Sequence, residues 1–494
     1  MNSKGEFKCI AVDMGASSIR IMLGTLREGT MRYHEYHRFE NRVFEKEGHE
    51  RWDFDRITRE VVRGINRIVD EHGHSLSSIG FDSWGVDFAM LDENGELIET
   101  PVSYRDARTL GMDRKWQGMM SKMETFERTG INFYQFNTLY QLLSIKETEA
   151  LKNTNRILFT PGFMNYLLTG LMRNELTIAS TSQLLSARST SWDPKILEHL
   201  GLAPEIFGQP DFPGTILGEI IHPSVHNASM QVIQVCGHDT ASAVLALPAG
   251  ERSAAYISSG TWCIVGVESE SPILTKEALK AGFTNERGFN NTFRILKNIV
   301  GLWLIQGLKK ELPDTLSHAG LERIADEAGS IPQVINPDSG VFYNPVNMKA
   351  AFDAYFRETG QNLPRNLSGY IKCAYDSLCF SFRYHIELLE ELTGKHIGVL
   401  HLIGGGSQSD YLNQNVADVS SRPVISGPVE GAAIGNILVQ ALSLGIVEDR
   451  YEIRQIVKRS FDIKEYAPQS VHPDMELRYE QFKHLITLNH NGKE

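Results

Sequence analysis

Apolar and polar positions alternate with two different periods along the first hundred residues, and the change of period marks the elements. Ile10 and Val12 lead into Asp13-Met14-Gly15-Ala16-Ser17-Ser18, after which Ile19, Ile21 and Leu23 alternate with other residues. Period two on either side of a small-residue turn predicts strand, tight hairpin, strand. Residues 32–39 continue as a third strand of the same meander. Over 55–72 the period lengthens: Ile57, Val61, Ile65, Ile68 and Val69 recur at helical spacing and predict an amphipathic helix. Residues 78–83 then read as a buried strand. Asn94-Gly95, between Phe88-Ala89-Met90-Leu91 and Leu97-Ile98, reads as a hairpin turn.

Three strands, a helix and a strand in that order predict an α/β lobe with a mixed sheet. The opening pattern returns half a chain later, where residues 254–268 again read strand, Ser258-Ser259-Gly260-Thr261 turn, strand. The repetition hints at an internal duplication. With a link at Leu247-Pro248-Ala249-Gly250, it sets an expected division into 1–247 and 248–450, followed by a helical surface tail at 451–494. Further on, the apolar run 399–403, Gly404-Gly405-Gly406 and residues 407–410 predict buried strand, glycine turn and capped helix start. The apolar run 434–447 is interrupted by Asn436, Gln440 and Ser443. It predicts a packed helix, since a membrane span needs ~20 mostly apolar residues.

Composition narrows this picture. A chain of 494 residues exceeds what one hydrophobic core usually serves, which agrees with two lobes. The net charge of -12 argues against a general nucleic-acid binder. It leaves open a phosphate held by backbone N–H groups. Cys9, Cys236, Cys263, Cys373 and Cys379 are scattered and form no C-x-x-C pair, which fits a reducing cytoplasm better than a disulfide framework or a structural zinc site. No basic-then-apolar leader precedes the first strand, so a cytoplasmic location is expected.

The common nucleotide loops are missing: Gly394-Lys395 is followed by His396, and no strand leads into G-x-G-x-x-G. The two hairpins offer another cradle. Around Gly15-Ala16-Ser17-Ser18, small residues let backbone N–H groups approach an anion and hydroxyls add donors. Arg20 could neutralise charge, and Asp13 could hold Mg²⁺ through water. By itself the turn reads first as an ordinary polar hairpin; the second hairpin shifts the balance, since two such loops would let a triphosphate be gripped from both sides. Gly404-Gly405-Gly406 would let a flat nucleoside lie against backbone, or serve only as a βα turn. Asp239, in Gly237-His238-Asp239-Thr240, is either a helix cap or the general base that phosphoryl transfer requires. His238 reads as a hydrogen-bond partner for a sugar oxygen or as a structural residue. Trp84-Gly85 reads as a sugar floor or as a core tryptophan beside a turn.

Taken in order, VDMGASSIR, GFDSWGVDFAMLD, YRDARTLGM, FNTLYQL, GHDTASAV, YISSGTW, RILKNIVGLWLIQ and GGGSQSDYLNQNVADVSSRPVISGPVEGAAIGN resemble the FGGY carbohydrate kinases from residue 12 to about residue 436. Segments such as DSWGVDF and LKNIVGLWLIQ favour the branch acting on L-rhamnulose over those acting on xylulose, glycerol or gluconate. The resemblance implies a two-lobed actin-like (ribonuclease H-like) α/β fold, ATP with Mg²⁺, and a ketose phosphorylated at its C1 hydroxyl, in a monomer or homodimer without nucleic-acid or membrane partners. It implies Asp239 as proton acceptor, and Gly85, His238, Asp239, Thr240 and Asn298 facing the sugar. Ala16, Ser17, Ser18, Ile19, Arg20, Thr261, Gln306 and Gly405 would face the nucleotide; it assigns no protein ligand to the metal. Ile19 stands where the family commonly has glycine. The alternatives are a kinase of L-fuculose or a similar ketose and, more distantly, a non-metabolic actin-like ATPase.

Overall fold

The structure is a computed structural model that describes residues 5–226, 229–248, 253–313, 316–469 and 473–491. These fall into two compact units, one within Met1–Pro248, Glu268–Ile295 and Glu430–Phe461, the other within Ala249–Val267, Leu296–Val429 and Asp462–Glu494. The sequence suggested consecutive stretches; the units are instead interleaved, the chain returning twice to the first. The expected link at Ala249-Gly250 lies outside the described residues.

The first unit is built on a six-stranded sheet in the order Thr30–Glu40, Ser18–Arg27, Phe7–Met14, Ser78–Ser83, Gln231–Gln234, Thr215–Glu219. The first three strands are the expected antiparallel meander. Phe7–Met14, Ser78–Ser83 and Gln231–Gln234 run parallel, as strands joined by crossovers do. The predicted helix forms at Phe54–His72, its first turn capped by Asp53, whose carboxylate accepts from Arg56 N at 3.0 Å. Its apolar stripe of Ile57, Val61, Ile65 and Ile68 is buried with Ile10, Val12, Ile19 and Ile21 of the sheet.

The chain returns to this unit with the helix Gly431–Ser443, and the polar residues that interrupt its apolar run explain why. Gln440 donates to Ile10 O (3.0 Å) and accepts from Ser78 Oγ (2.8 Å), while Asn436 donates to Gly80 O (3.1 Å) and to Asp82 Oδ2 (2.6 Å). Each buried amide is thereby paired, which turns two costly polar groups into fasteners between helix and sheet. A Cβ at Gly435 would stand 2.0 Å from Ser242 O, so only glycine permits this helix to lie so close to Asp239–Leu245.

Two local expectations changed. The Asn94-Gly95 turn forms, with Gly95 at φ 81°, but the second arm of its hairpin shrinks to one bridge, Leu91 with Leu97. Phe88–Leu91 pairs instead with Arg156–Phe159, a short apolar strand that period alone does not distinguish from helix.

In the second unit, Ala254–Ser259 pairs antiparallel with Trp262–Ser269 and parallel with Val399–Ile403. This repeats the hairpin-plus-parallel-strand arrangement of the first unit, as a duplication requires. Val424–Ser426 extends the sheet and pairs antiparallel with Lys464–Tyr466. The tail is therefore not merely a surface helix and frayed end. Its last helix, Met475–Asn491, buries Tyr479 and Phe482, and its Arg478 meets the buried Asp376 at 2.7 Å. The strand Lys-Glu-Tyr is too short and polar to announce itself in the sequence. No helix among the described residues is long and apolar enough to cross a membrane.

Candidate active site

In the first unit, three parallel strands end side by side and carry the acidic residues. Asp13 lies opposite Asp82 in the register, Ser83 N donates to Gly237 O (2.8 Å), and Trp84 N donates to Met14 O (3.1 Å). Asp13 also faces Arg20 across the first hairpin. The Arg20 guanidinium pairs with Asp13 at 2.5 Å and with Glu430. Burial pushes the Asp13 carboxyl up to about 6; Arg20 opposes this, and Asp239 and Glu430 reinforce it. Burial and then the charge of Asp13 drive Asp82 well above the carboxylate range. Arg20 thus pairs with two carboxylates, and the charge of Asp82 acts on it as well.

The first turn is closed by a residue the sequence reading did not single out. Gly15 N donates to Ser18 O (3.0 Å), while Asn41 donates from Nδ2 to Gly15 O (3.1 Å) and from its backbone N to Ser17 O (3.0 Å). Ser17 is exposed, and Ala16 and Ser18 are partly so. Ile19 is the second residue of the next strand, paired with Met14, and its side chain is fully buried in the core. The site of the family's glycine is thus an ordinary strand position in which a β-branched side chain is at home.

Asp239 is the first residue of the helix Asp239–Leu245; the cap position is His238, which makes no side-chain capping bond. Asp239 Oδ1 accepts from Thr240 N (2.5 Å) and Thr240 Oγ1 (3.0 Å), and among the described residues no hydrogen bond goes to Oδ2. Its side chain remains 32% exposed. His238 Nε2 lies 3.5 Å from Asp239 Oδ1, and His238 Nδ1 lies 3.1 Å from Glu286 Oε2 and 3.0 Å from Arg294 Nη2. Arg294 in turn meets Glu286 at 2.9 Å. Burial works against the Glu286 charge, yet Arg294 and His238 hold the carboxyl down at about 2. Glu286 and Arg294 are thus a built-in orienting pair for the His238 ring. Nothing in their spacing along the chain marks them; only the fold brings them there.

Gly85 sits over Thr181, and Thr181 Oγ1 accepts from Val86 N at 3.1 Å. Val86 has φ 70°, a conformation that costs a β-branched residue energy, and Thr138 Oγ1 fastens its carbonyl at 2.7 Å. Trp84 is buried in the core and donates to Asp87 Oδ2 at 2.9 Å. That burial agrees with the plainer reading, a core tryptophan beside a turn.

The second unit gathers the remaining candidates. Thr261 O accepts from Gly301 N and Trp303 N, both at 3.2 Å, which seats the helix Trp303–Lys309 on the second hairpin. Thr261 Oγ1 donates to Gln306 Oε1 at 3.5 Å. A Cβ at Gly404 would meet Ser259 O at 2.9 Å and one at Gly406 would meet Ser259 Oγ at 2.1 Å, whereas Gly405 faces open space. The glycine turn therefore lies directly on the hairpin. It leads through a short 3₁₀ turn, Gly405–Gln408, into the helix Asp410–Ser420, capped as expected by Ser409. Asn298 lies half-buried on the strand Phe293–Val300. Ala16 to Arg20, Gly85, His238, Asp239 and Thr240 thus belong to the first unit, and Thr261, Asn298, Gln306 and Gly405 to the second.

Comparison with known proteins gives a consistent picture. The N-terminal domain of the FGGY family of carbohydrate kinases matches residues 8–246, and the C-terminal domain of that family matches residues 255–444. The chain is 40% identical over 481 residues to a rhamnulokinase of Bacteroides thetaiotaomicron, covering 96% of this chain and 99% of that one. It is 40% identical over 464 residues to a rhamnulokinase of Bacillus subtilis, covering 93% and 95%. In fold it is similar to a gluconate kinase from Lactobacillus acidophilus, with TM-score 0.81 at 15% identity and 98% of each chain covered. It is also similar to a Plasmodium falciparum glycerol kinase with ADP, with TM-score 0.79 at 13% identity over 97% and 98% of the two chains.

Proposed function

Because the chain belongs to the FGGY family of carbohydrate kinases, we propose that it transfers the γ-phosphoryl group of ATP to the C1 hydroxyl of L-rhamnulose, giving L-rhamnulose 1-phosphate and ADP, a step of L-rhamnose breakdown in the cytoplasm. The observation that carries the chemistry is the Asp239 carboxylate. Thr240 fixes one oxygen, while the other has no hydrogen bond among the described residues, in a side chain that is a third exposed. Such a carboxylate is a positioned base. It takes the proton of the C1 hydroxyl as that oxygen attacks the γ-phosphorus, and the bond to the β,γ-bridging oxygen breaks to release ADP.

His238, aimed by Glu286 and Arg294, would hydrogen-bond a sugar oxygen beside the reacting one, with Gly85, Thr240 and Asn298 completing the sugar contacts. The first turn, held open-faced by Asn41, would present the backbone of residues 16–20 to the phosphates. Thr261 and Gln306 would hold the nucleotide, and Gly405 would leave room for it. Asp239 adds to the charge burden on Asp13, and both add to that on Asp82, a burden that a water-bridged Mg²⁺ would relieve. Asp13, and Asp82 behind it, would hold the ion through water; when bound, it neutralises charge on the transferring phosphoryl group. A monomer or homodimer completes the reading, with 1–247 carrying most sugar contacts and the first phosphate hairpin and 248–450 the nucleotide contacts, although 268–295 and 430–461 pack with the first unit.

Coupled ADP assays with L-rhamnulose, L-fuculose and L-xylulose side by side test it. The highest kcat/KM is expected with L-rhamnulose. Strong turnover of another ketose with little on L-rhamnulose overturns the substrate assignment.

A further inference from the structure

We infer that Glu175 is a positioning residue whose carboxylate fixes the backbone of Gly237 and, through Thr177, that of His238, and so sets the aim of the Asp239 side chain. The inference rests on the reading of Asp239 as the base. Glu175 is buried and sits at the head of the four-residue helix Leu176–Ala179. A cap needs only the local bonds, and these are present: Thr177 N donates to Oε1 at 2.7 Å and Ile178 N to Oε2 at 3.1 Å. Two further interactions reach about sixty residues along the chain. Gly237 N donates to Oε2 at 2.8 Å. Thr177 Oγ1 donates to Oε2 at 2.7 Å and accepts from His238 N at 3.2 Å.

On the other side, Gly237 O accepts from Ser83 N at the end of the central strand. The peptide before His238-Asp239 is therefore clamped from both directions. The fit leaves no slack, because a Cβ at Gly237 would stand 2.8 Å from Glu175 Oε2. Only an ionised carboxylate can accept all four bonds, three of them on one oxygen; a carboxamide offers an NH₂ where Oε2 now accepts. The four donors are neutral N–H and O–H groups. The titratable neighbours on the clamped loop are Cys236, its thiol driven far up first by burial and further by Glu175, and His238. Burial outweighs the four bonds and lifts the Glu175 carboxyl to about 7. Near neutrality a proton there removes an acceptor and loosens the loop behind the base.

The test compares the wild type with E175Q and T177V, using whichever ketose the wild type phosphorylates best. For E175Q, kcat should fall on the order of 10²-fold, the cost of a reacting group misplaced by about an ångström, with KM for ATP and ketose nearly unchanged. The wild-type kcat profile should show an acid limb with its inflection at about 7, absent from E175Q. T177V should lose kcat in the same direction by less. An E175Q enzyme with wild-type kcat, or with a raised KM and intact kcat, overturns the inference. Should E175Q fail to fold, T177V is read in its place; failure of both to fold assigns Glu175 to the core and also overturns it. A wild type inactive on every ketose overturns the kinase reading instead. Glu175 is then judged by amide exchange at Gly237 and His238, which E175Q should accelerate and which, if unchanged, refutes the clamp.

Discussion

The two hairpins look alike in sequence and are built for different work. In the first, the strand ends carry Asp13 and Arg20, the arginine is shared with Glu430, and the turn is tied shut by the Asn41 side chain. In the second, the turn Ser258-Ser259-Gly260-Thr261 carries no charge and is fastened mainly by backbone bonds from Gly301, Leu302 and Trp303. Its second wall is the glycine turn, which rests on Ser259. One hairpin belongs to a cluster of buried carboxylates and an arginine. The other makes a neutral surface defined by shape. The same strand pairing thus carries charge in one unit and none in the other.

That contrast can be broken most sharply at the base. Asp239→Asn should lower kcat by roughly 10²–10⁴-fold, with KM for ATP little changed, because the amide keeps the Thr240 contact but cannot take the proton. Normal turnover by this variant, measured by coupled ADP release, would place the charge chemistry elsewhere. Next comes the arginine. Arg20→Met strands two carboxylates in a poorly solvated site and should cost about 3–5 kcal/mol of stability in urea unfolding. A neutral result would mean that the pairing is dispensable, and the first hairpin would then resemble the second.

The buried acids of the first unit give it a pH signature. Glu175, lifted from the ordinary 4.5 to about 7, keeps a proton in the folded chain where the unfolded chain has lost it. Its contribution is therefore complete below about pH 4.5 and disappears as pH rises through about 7, on the order of 3 kcal/mol in all. Asp13 acts in the same direction up to about 6, and Glu286, held at about 2, acts oppositely only in acid. The urea midpoint should fall between about pH 4.5 and about pH 7, and less steeply in E175Q.

The shape-defined hairpin calls for a gentler probe. Gly405 has open space where a Cβ would go and no positive φ, so Gly405→Ala should leave the melting temperature alone while raising KM for ATP about tenfold, or 1.4 kcal/mol. An unchanged KM would remove the glycine wall from the nucleotide surface. The smallest effect is expected from Asn41→Ala, about 1 kcal/mol of stability for the lost side-chain bond to the first turn, with KM for ATP rising modestly.

Where each feature is periodic and local, the sequence carried it. The meander, the helix Phe54–His72, both hairpins and the strand-glycine-helix run at 399–420 follow from spacing and turn residues. Asp239 was visible as a carboxylate beside a helix start; the structure gives the cap position to His238, which supports the proposed base without deciding it. The supports of the site were hidden. Asn41, Glu175, Glu286 and Arg294 act across gaps of up to some sixty residues, and a lone polar residue in an apolar stretch has the same local signature whether it is a clamp or a solvated side chain. The interleaving was hidden for the same reason, since Asn436 and Gln440 show only that their helix is buried, not against what.

The position of that helix also dictates an order of events during synthesis. Gly80 O, Ile10 O, Ser78 and Asp82 receive their partners from Asn436 and Gln440, which leave the ribosome 354 to 430 residues after them. At about 5–20 residues per second, the nascent first unit waits at least about twenty seconds with one face of its sheet uncovered. A chain halted anywhere before residue 431 would carry an exposed apolar surface studded with unpaired polar groups, a natural client for chaperones. Messages cut short upstream of that point should accordingly yield aggregates rather than a free-standing sugar lobe.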